Sequence, residues 1–185
     1  MIMKIFLARH GQTDWNLNNK IQGWTDVPLN KLGLEQAARL GEELKGVEFG
    51  QVYSSPLRRA TETAEVALET ARAFRGEIEL MDELKERGFG EFEGRAGETY
   101  DARKYWDLGL NSSEGGVEPI KALFERLERA KARILSENEA GATVLVVAHG
   151  ASLKALYYSL VGYEAGKTNF REFHLENGEV KAVEI

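Results

Sequence analysis

The sequence predicts an α/β protein, a three-layer αβα sandwich with a mainly parallel central sheet. Two short apolar runs, at 3–8 and 143–148, have the composition of strands that are buried on both faces. Between them, segments with apolar residues at helical spacing alternate with further short strand-like runs. Strands that alternate with helices favour a parallel sheet with helices on both faces.

The first half of the chain contains three predicted strands and two predicted helices. The pair Ser55-Pro56 is expected to start the second helix, because serine is a good N-cap and proline is tolerated in the first turn. In chain order we predict a strand at 3–8, a loop at 17–30, a helix at 31–45, a strand at 50–55, a helix from Ser55-Pro56 through Phe74, and a strand at 77–81.

A glycine-rich, irregular region at 85–117 opens the second half of the chain. Near the C-terminus, Asn177-Gly178 separates two alternating runs, which is a strong hairpin signal, and we place this hairpin at or near the sheet edge. The other predicted elements are a short helix near 100–108, a helix at 118–137, a strand at 143–148 and a helix at 151–161.

Length and composition fit one domain over residues 1–185. The chain has 43% hydrophobic residues, a net charge of -6 and no cysteine. An acidic chain argues against nucleic-acid binding, which requires a basic face. Disulfides and cysteine-ligated metals are excluded. No segment approaches the roughly 20 apolar residues that span a bilayer, and the short N-terminal run does not fit a signal peptide. We therefore expect a cytoplasmic protein with no membrane partner.

Both buried strands end in a histidine that is followed by a glycine. Arg9, His10 and Gly11 follow the first strand, and His149 and Gly150 follow the second. Open α/β sheets bind ligands beyond the carboxyl ends of their strands, so we expect the two histidines to share a site. Glycine lets the backbone approach a ligand closely, and free backbone N–H groups favour an anion.

Arginine side chains predict that this anion is a phosphoryl group. Arg9 and one of the pair Arg58-Arg59 would place planar guanidinium groups beside the histidines. Phosphoryl transfer depends mainly on positioning and electrostatics, so such a site requires no metal. A neutral imidazole can attack phosphorus, and a carboxylic acid can protonate the leaving group. The candidate acids are Glu86, Glu91 and Glu93.

Four parts of the sequence resemble the motifs of the histidine phosphatase superfamily, the phosphoglycerate-mutase-like proteins. They occur in the family's order: LARHGQTDWN with QGWTDVPLNKLGLEQA, then SSPLRRATETA, then LKERGFGEFEGR, and finally VVAHGAS. Together they extend from residue 4 to about residue 155. The combination is specific, whereas an isolated R-H-G triplet carries little information.

The resemblance implies a role for each matching residue. His10 would be the nucleophile that forms a phosphohistidine, and Glu86 would be the proton donor. Arg9, Arg59 and His149 would hold the phosphoryl oxygens. The implied substrate-binding residues are Asn16, Gln22, Gly23, Gly150 and Ala151. The resemblance implies no metal and no other cofactor.

Some positions depart from the family's usual pattern. Gln12 stands where glutamate is usual, and Gly116-Val117-Glu118 replaces the usual G-E-S, so a ligand role for 114–118 lacks support. The mutases carry large insertions after the third motif, whereas this chain is short there. We therefore expect the short phosphatase branch, with a lid and specificity region at about 94–117.

The sequence thus predicts a metal-independent phosphomonoesterase of the histidine acid phosphatase type, acting on a small phosphorylated metabolite. Three rival functions are a cofactor-dependent phosphoglycerate mutase, a phosphate-binding module without turnover, and a metal site formed by His10, His149 and a carboxylate. Arg9 and Arg59 would repel a metal cation, and a binding module requires no proton donor. The physiological substrate and the oligomeric state stay open.

Overall fold

The sheet of the computed structural model, which describes residues 2–185, has five strands. They are β1 Lys4–Arg9, β2 Gln51–Ser54, β3 Glu79–Leu80, β4 Thr143–Ala148 and β5 Val180–Glu184. The order across the sheet is β3-β2-β4-β1-β5. Neighbouring strands are parallel except for β5, which is antiparallel to β1. The mainly parallel sheet is confirmed.

Helices cover both faces of this sheet. They are α1 Asp14–Leu17, α2 Lys31–Glu43, α3 Arg58–Ala71, α4 Ala102–Tyr105, α5 Ile120–Glu137 and α6 Gly150–Val161. One core packs α5 and α6 against side chains such as Ile5 and Val144. The other packs α2 and α3 against side chains such as Ala8 and Leu145. The three-layer αβα architecture is therefore confirmed. No helix within residues 2–185 is long and apolar enough to cross a membrane.

The predicted bounds of α3 were wrong at both ends. The helix begins at Arg58, and its N-cap is Leu57, which makes no side-chain capping bond. Ser55, the expected cap, accepts from the Leu57 N–H at 3.3 Å, ahead of the helix, and its hydroxyl also lies 2.7 Å from the His149 ring. The helix ends at Ala71, because Arg72 adopts a left-handed conformation with φ 52°.

The predicted C-terminal hairpin is not formed, although its second arm is the edge strand β5. The first arm, 170–176, is not a strand. Its side chains Phe173 and Leu175 are buried in the core that contains α6, and the Phe173 ring stacks on Tyr157 at 4.2 Å between centroids. The Gly178 N–H donates to the carbonyl oxygens of Arg9 and His10. The turn is therefore bonded to the end of β1, and the preceding segment packs on a helix.

The glycine-rich region is irregular, as predicted, and contains only short helical turns. The short helix expected near 100–108 is limited to α4. Buried Arg87 holds this region together, since Nε donates to the Glu118 carbonyl at 2.8 Å and Nη1 donates to the Tyr105 carbonyl at 2.8 Å. The Tyr100 and Tyr105 rings stack at 4.8 Å. These contacts position the region over the carboxyl ends of the strands.

Candidate active site

A cleft of about 250 Å³ lies at the carboxyl ends of the central strands β1 and β4. The predicted residues that line it are Arg9, His10, Asn16, Gln22, Gly23, Arg59 and Glu86. The lining also includes Lys20, Ile21, Phe89, Gly97 and Tyr100. His149, Gly150 and Ala151 lie behind this lining, in contact with Arg59, Arg9 and Glu86.

His10 is buried, and one backbone carbonyl fixes its tautomer. Nδ1 lies 2.7 Å from the Gly11 carbonyl oxygen, which can only accept, so Nδ1 carries the proton. Nε2 therefore keeps its lone pair. Burial, followed by the charges of Arg59 and Arg9, lowers the pKa of His10 well below its usual value. The ring is neutral at physiological pH and has the protonation state of a nucleophile.

The glycine that follows His10 has a different role from the expected one. A Cβ on Gly11 would collide with the backbone of Gly33 at the start of α2, so glycine permits close packing there. The Gly11 N–H donates to the Thr63 hydroxyl at 3.0 Å. This donor therefore already has a partner, so Gly11 offers no free N–H group to an anion.

Arg59 links the cleft floor to the neighbouring loop. Its Nη1 and Nη2 donate to the carbonyls of Thr25 at 2.9 Å and Gly23 at 2.7 Å, and its Nε donates to His149 Nδ1 at 3.1 Å. Gly23 adopts φ 55°, which favours glycine. Burial lowers the pKa of Arg59 to about 10, so the guanidinium stays charged at neutral pH.

His149 is fully buried, and both of its ring nitrogens have partners. Because Arg59 Nε can only donate, His149 Nδ1 is the acceptor and the ring proton is on Nε2, which donates to the Ser55 hydroxyl at 2.7 Å. The two histidine rings lie 5.0 Å apart. Burial, and then Arg59, lowers the pKa of His149 well below its usual value. In this structure His149 orients Arg59 and does not itself line the cleft.

Arg9 lines the cleft with unused hydrogen-bonding capacity. Its Nη1 donates to the Leu175 carbonyl at 2.8 Å. Its Nε is buried and has no hydrogen-bond partner among residues 2–185. A buried guanidinium donor without a partner is costly, and an anion in the cleft would satisfy it.

Glu86 lies at the N-terminus of α6. Its Oε1 accepts from the N–H groups of Arg87 at 2.9 Å, Ala151 at 3.0 Å and Ser152 at 3.1 Å. Its backbone carbonyl accepts from Trp24 Nε1 at 2.7 Å and Arg126 Nη2 at 2.9 Å. The Ala151 N–H expected to bind substrate thus already donates to Glu86.

The predicted substrate-binding side chains are anchored through their oxygens. Asn16 Oδ1 accepts from the Thr13 N–H at 3.1 Å, and Gln22 Oε1 accepts from the Thr13 hydroxyl at 2.9 Å. The amide nitrogens of Asn16 and Gln22 are thereby left to face the cleft as donors.

The structure distinguishes between the alternatives that the sequence left open. Arg59 is buried in the site, whereas Arg58 is exposed and paired with Glu62 at 3.0 Å. Among the carboxylates, Glu86 alone of the three candidates lines the cleft. Glu91 is exposed. Glu93 accepts from the Trp24 N–H and the Thr25 N–H, each at 3.0 Å, and holds that loop.

Two contributors to the site were missed in the sequence. Lys20 brings a third cation to the cleft lining, and its position just before Gln22-Gly23 was an available signal. Asn177 supports the nucleophile from the far end of the chain, because its Nδ2 donates to the His10 carbonyl at 3.0 Å. Nothing in the local sequence indicates that contact, which depends on the pairing of β5 with β1.

The side chains that line the cleft are those expected of a catalytic site that binds an anion. Arg9, Arg59 and Lys20 supply positive charge, and a neutral imidazole and a carboxylate face the same space. Within residues 2–185, no three histidine, aspartate or glutamate side chains are close enough to hold a metal ion. Cationic guanidinium groups around His10 also disfavour a metal there. The arrangement fits nucleophilic attack on a phosphoryl group.

Comparisons with known proteins give matches over nearly the whole chain. Residues 5–185 match the profile of the histidine phosphatase superfamily, branch 1. The uncharacterized phosphatase PhoE of Bacillus subtilis is 37% identical over 85% of this chain and 77% of its own length. A 2,3-bisphosphoglycerate-dependent phosphoglycerate mutase of Gloeobacter violaceus is 33% identical over 98% of this chain and 80% of its own. Among solved structures, a variant of phosphoserine phosphatase from Entamoeba histolytica in complex with phosphoserine is similar, with a TM-score of 0.79 and 32% sequence identity. The match covers 97% of this chain and 89% of the phosphatase chain.

Proposed function

This chain belongs to branch 1 of the histidine phosphatase superfamily, and on that premise we propose that it is a metal-independent phosphomonoester hydrolase acting on a small phosphorylated metabolite. The state of His10 carries the proposal. The ring is neutral, its Nδ1 is fixed by a carbonyl, and it lies between Arg9 and Arg59 in a cleft that also contains Glu86. These are the requirements for a histidine that attacks phosphorus.

In the first step, Nε2 of His10 attacks phosphorus while the bond to the leaving oxygen breaks. Arg9 and Arg59 stabilise the charge on the equatorial oxygens, and the amide nitrogens of Asn16 and Gln22 donate to the same group. Glu86, protonated, transfers its proton to the leaving alkoxide, and the alcohol departs.

In the second step, water hydrolyses the phosphohistidine. The Glu86 carboxylate takes a proton from the attacking water, the bond between phosphorus and Nε2 breaks, and phosphate leaves with His10 again neutral. His149 acts in both steps by orienting Arg59, because its Nδ1 accepts a hydrogen bond from Arg59 Nε at 3.1 Å.

We propose one domain over residues 1–185, with 94–117 as a specificity lid. Gly97 and Tyr100 from this segment line the cleft, so they would contact the alcohol part of the substrate. A cofactor-dependent phosphoglycerate mutase is the second candidate, since a mutase relative matches 98% of the chain. The short lid favours hydrolysis, because it gives an intermediate less enclosure against escape and water.

The test is hydrolysis of p-nitrophenyl phosphate with EDTA present, scanned from about pH 4.5 to 8. We expect EDTA-resistant turnover in the wild type, loss of turnover in His10→Ala, and retention in His174→Ala, which changes an exposed histidine. A phosphoryl label that is stable in base and labile in acid should appear on the wild type only.

Turnover that persists in His10→Ala, or that EDTA abolishes, would contradict the proposal. Efficient interconversion of 2- and 3-phosphoglycerate, with slow release of phosphate, would instead identify a mutase.

A further inference from the structure

The Glu93 carboxylate accepts four hydrogen bonds, although the mechanism above gives it no part. Its Oε1 accepts from the N–H groups of Trp24 at 3.0 Å and Phe89 at 3.1 Å. Its Oε2 accepts from the N–H and the hydroxyl of Thr25, at 3.0 and 2.7 Å. These bonds occupy the acceptor sites of an ionised carboxylate, and Glu93 lies outside the lining of the cleft. Its contacts therefore serve to hold the segment 23–25, which we call the 23–25 loop.

The 23–25 loop also packs closely against Glu93. A Cβ on Gly23 would lie 2.0 Å from Glu93 Oε1 and 2.5 Å from its Cδ. The backbone at Gly23 can approach the carboxylate only because no side chain lies between them. Close packing as well as hydrogen bonding therefore sets the position of the loop relative to Glu93.

The same loop accepts two of the hydrogen bonds that orient Arg59. Nη1 of Arg59 donates to the Thr25 carbonyl at 2.9 Å, and Nη2 donates to the Gly23 carbonyl at 2.7 Å. Thr25 thus bonds Glu93 through its N–H and Arg59 through its carbonyl. Because a guanidinium group is planar and rigid, two fixed acceptors set its orientation. A displacement of the loop therefore turns Arg59.

The charge of Glu93 also favours the ionised form of Arg59. Burial is the main cause that lowers the pKa of Arg59 to about 10, and the negative charges of Glu86, Asp26 and Glu93 oppose that fall. Asp26 is engaged at the start of α3, where its carboxylate accepts from the Arg58 N–H at 2.8 Å. Glu93 contributes both a nearby charge and the bonds that fix the loop.

We propose that Glu93 is a positioning residue for phosphoryl transfer: it fixes the 23–25 loop, and two carbonyls of that loop orient Arg59 toward the phosphoryl oxygens. Glu93 then contributes to transition-state stabilisation without touching the substrate. The sequence made Glu93 a candidate proton donor, and its contacts give it a different task. This inference rests on the proposed hydrolase function and adds a residue to it.

The test is a double-mutant cycle on p-nitrophenyl phosphate that combines Glu93→Gln with Arg59→Lys. The amide keeps the size of the side chain but turns N–H donors toward backbone N–H donors, so the loop must shift. A displacement of about 1 Å can cost on the order of 100-fold, and we expect Glu93→Gln to lower kcat/KM by about 10- to 100-fold. In the Arg59→Lys background the same change should cost less than about threefold, because the guanidinium that Glu93 orients is gone.

Two further variants control the cycle. Glu91→Gln removes the same charge from an exposed side chain two residues earlier and should keep the wild-type kcat/KM. Thr25→Val removes only the hydroxyl that donates to Glu93, and it replaces Glu93→Gln if that variant does not fold. Loss of one hydrogen bond should lower kcat/KM by about twofold to tenfold in the wild type, and by almost nothing in Arg59→Lys.

An NMR resonance reports the orientation of Arg59 independently of turnover. The Arg59 Nε–H donates to His149 Nδ1 at 3.1 Å, and Arg59→Lys identifies its resonance by removing it. In Glu93→Gln this resonance should shift or broaden, whereas in Glu91→Gln it should keep its position. A general loss of stability would lower the unfolding midpoint and leave this resonance of the folded protein in place.

Unchanged kcat/KM in Glu93→Gln, or losses that multiply in the double variant, would overturn the proposal. So would a loss confined to an alkyl phosphate such as glycerol 3-phosphate. That result would assign Glu93 to the proton donor Glu86, whose carbonyl accepts from the Trp24 indole at 2.7 Å. If the wild type hydrolyses neither substrate, the hydrolase proposal fails, and the resonance decides alone: an unchanged Arg59 Nε–H in Glu93→Gln would overturn the positioning as well.

Discussion

At the scale of single residues, Arg59 joins the parts of the site, although it is the second residue of a regular helix. It contacts His149 and the carbonyls of Gly23 and Thr25, and it faces the cleft. A lysine has the same charge but cannot reproduce these directed bonds. Arg59→Lys should therefore lower kcat/KM on the order of 100-fold, the cost typical of losing one transition-state donor.

The matched control is Arg58→Lys, which changes the neighbouring exposed arginine. Steady-state kinetics on p-nitrophenyl phosphate should place this variant near wild type. Similar losses in both variants would show that Arg59 has no special part in the reaction.

The role of Glu86 predicts a dependence on the leaving group. Glu86→Gln keeps the shape but cannot donate a proton, so turnover of an alkyl phosphate should fall by about 10² to 10⁴. The loss on p-nitrophenyl phosphate should be much smaller, because its leaving group departs as an anion. Glu91→Gln, which changes an exposed carboxylate, is the control and should retain both activities. Equal losses on both substrates would mean that Glu86 acts only by position.

At the scale of elements, α5 holds the segment that carries Glu86. Arg126 forms a two-pronged pair with Glu118, at 2.6 and 2.9 Å, and also donates to the carbonyls of Glu83, Lys85 and Glu86. Both side chains are largely buried. Removal of one partner leaves a buried charge, so Arg126→Met should lower the free energy of unfolding by about 3 kcal/mol.

Chemical denaturation measures that loss, and the double variant Arg126→Met/Glu118→Leu separates its two causes. The double variant should regain stability but keep a low kcat, since the carbonyls of 83–86 have still lost their donor. A full recovery of kcat would show that Arg126 contributes stability alone. Arg129→Met, on the same helix, is the control.

Elements with one dominant physical cause were predictable from the sequence. The strands β1 and β4 were predicted because burial on both faces requires continuous apolar runs. Segments whose local sequence favoured one structure while tertiary contacts favoured another were not predictable. Ser55 has the chemistry of a helix cap, yet it lies three residues before the first residue of α3, where its hydroxyl bonds both the Leu57 N–H and the His149 ring. Segment 170–176 alternated like a strand, yet it packs Phe173 on Tyr157.

At the scale of the molecule, two buried neutral histidines tie stability to pH. Burial, first among the causes, lowers the pKa of His10 and of His149. Below the usual histidine pKa of about 6.5, the unfolded chain gains protons that the folded protein does not bind. The free energy of unfolding should therefore fall by about 1 kcal/mol per histidine between pH 7.5 and 5.5.

Urea unfolding at the two pH values checks this expectation. In His10→Ala/His149→Ala the fall with pH should shrink by about 2 kcal/mol, because two groups no longer titrate in the unfolded state. The same fall in the variant and the wild type would assign the pH dependence to other groups.

Arg9, His10 and His149 were predictable because they lie at the ends of β1 and β4, where a parallel sheet brings them together, whereas Arg59 and Glu86 were singled out by their match to the family's motifs. Residues that meet only through the complete fold were not predictable. Asn177 donates to the carbonyl of His10 only because β5 pairs with β1.

The position of β1 in the sheet has a consequence for biosynthesis. Its two neighbours, β4 and β5, come from residues 143–184, so β1 leaves the ribosome more than 130 residues before either partner. The carbonyls of Arg9 and His10 receive their bonds from Asn177 and Gly178. The site is therefore incomplete in a nascent chain until residues 143–184 have been translated, and until then the apolar segment 4–8 lacks its sheet neighbours; exposed apolar surface and unpaired strand edges of this kind favour aggregation.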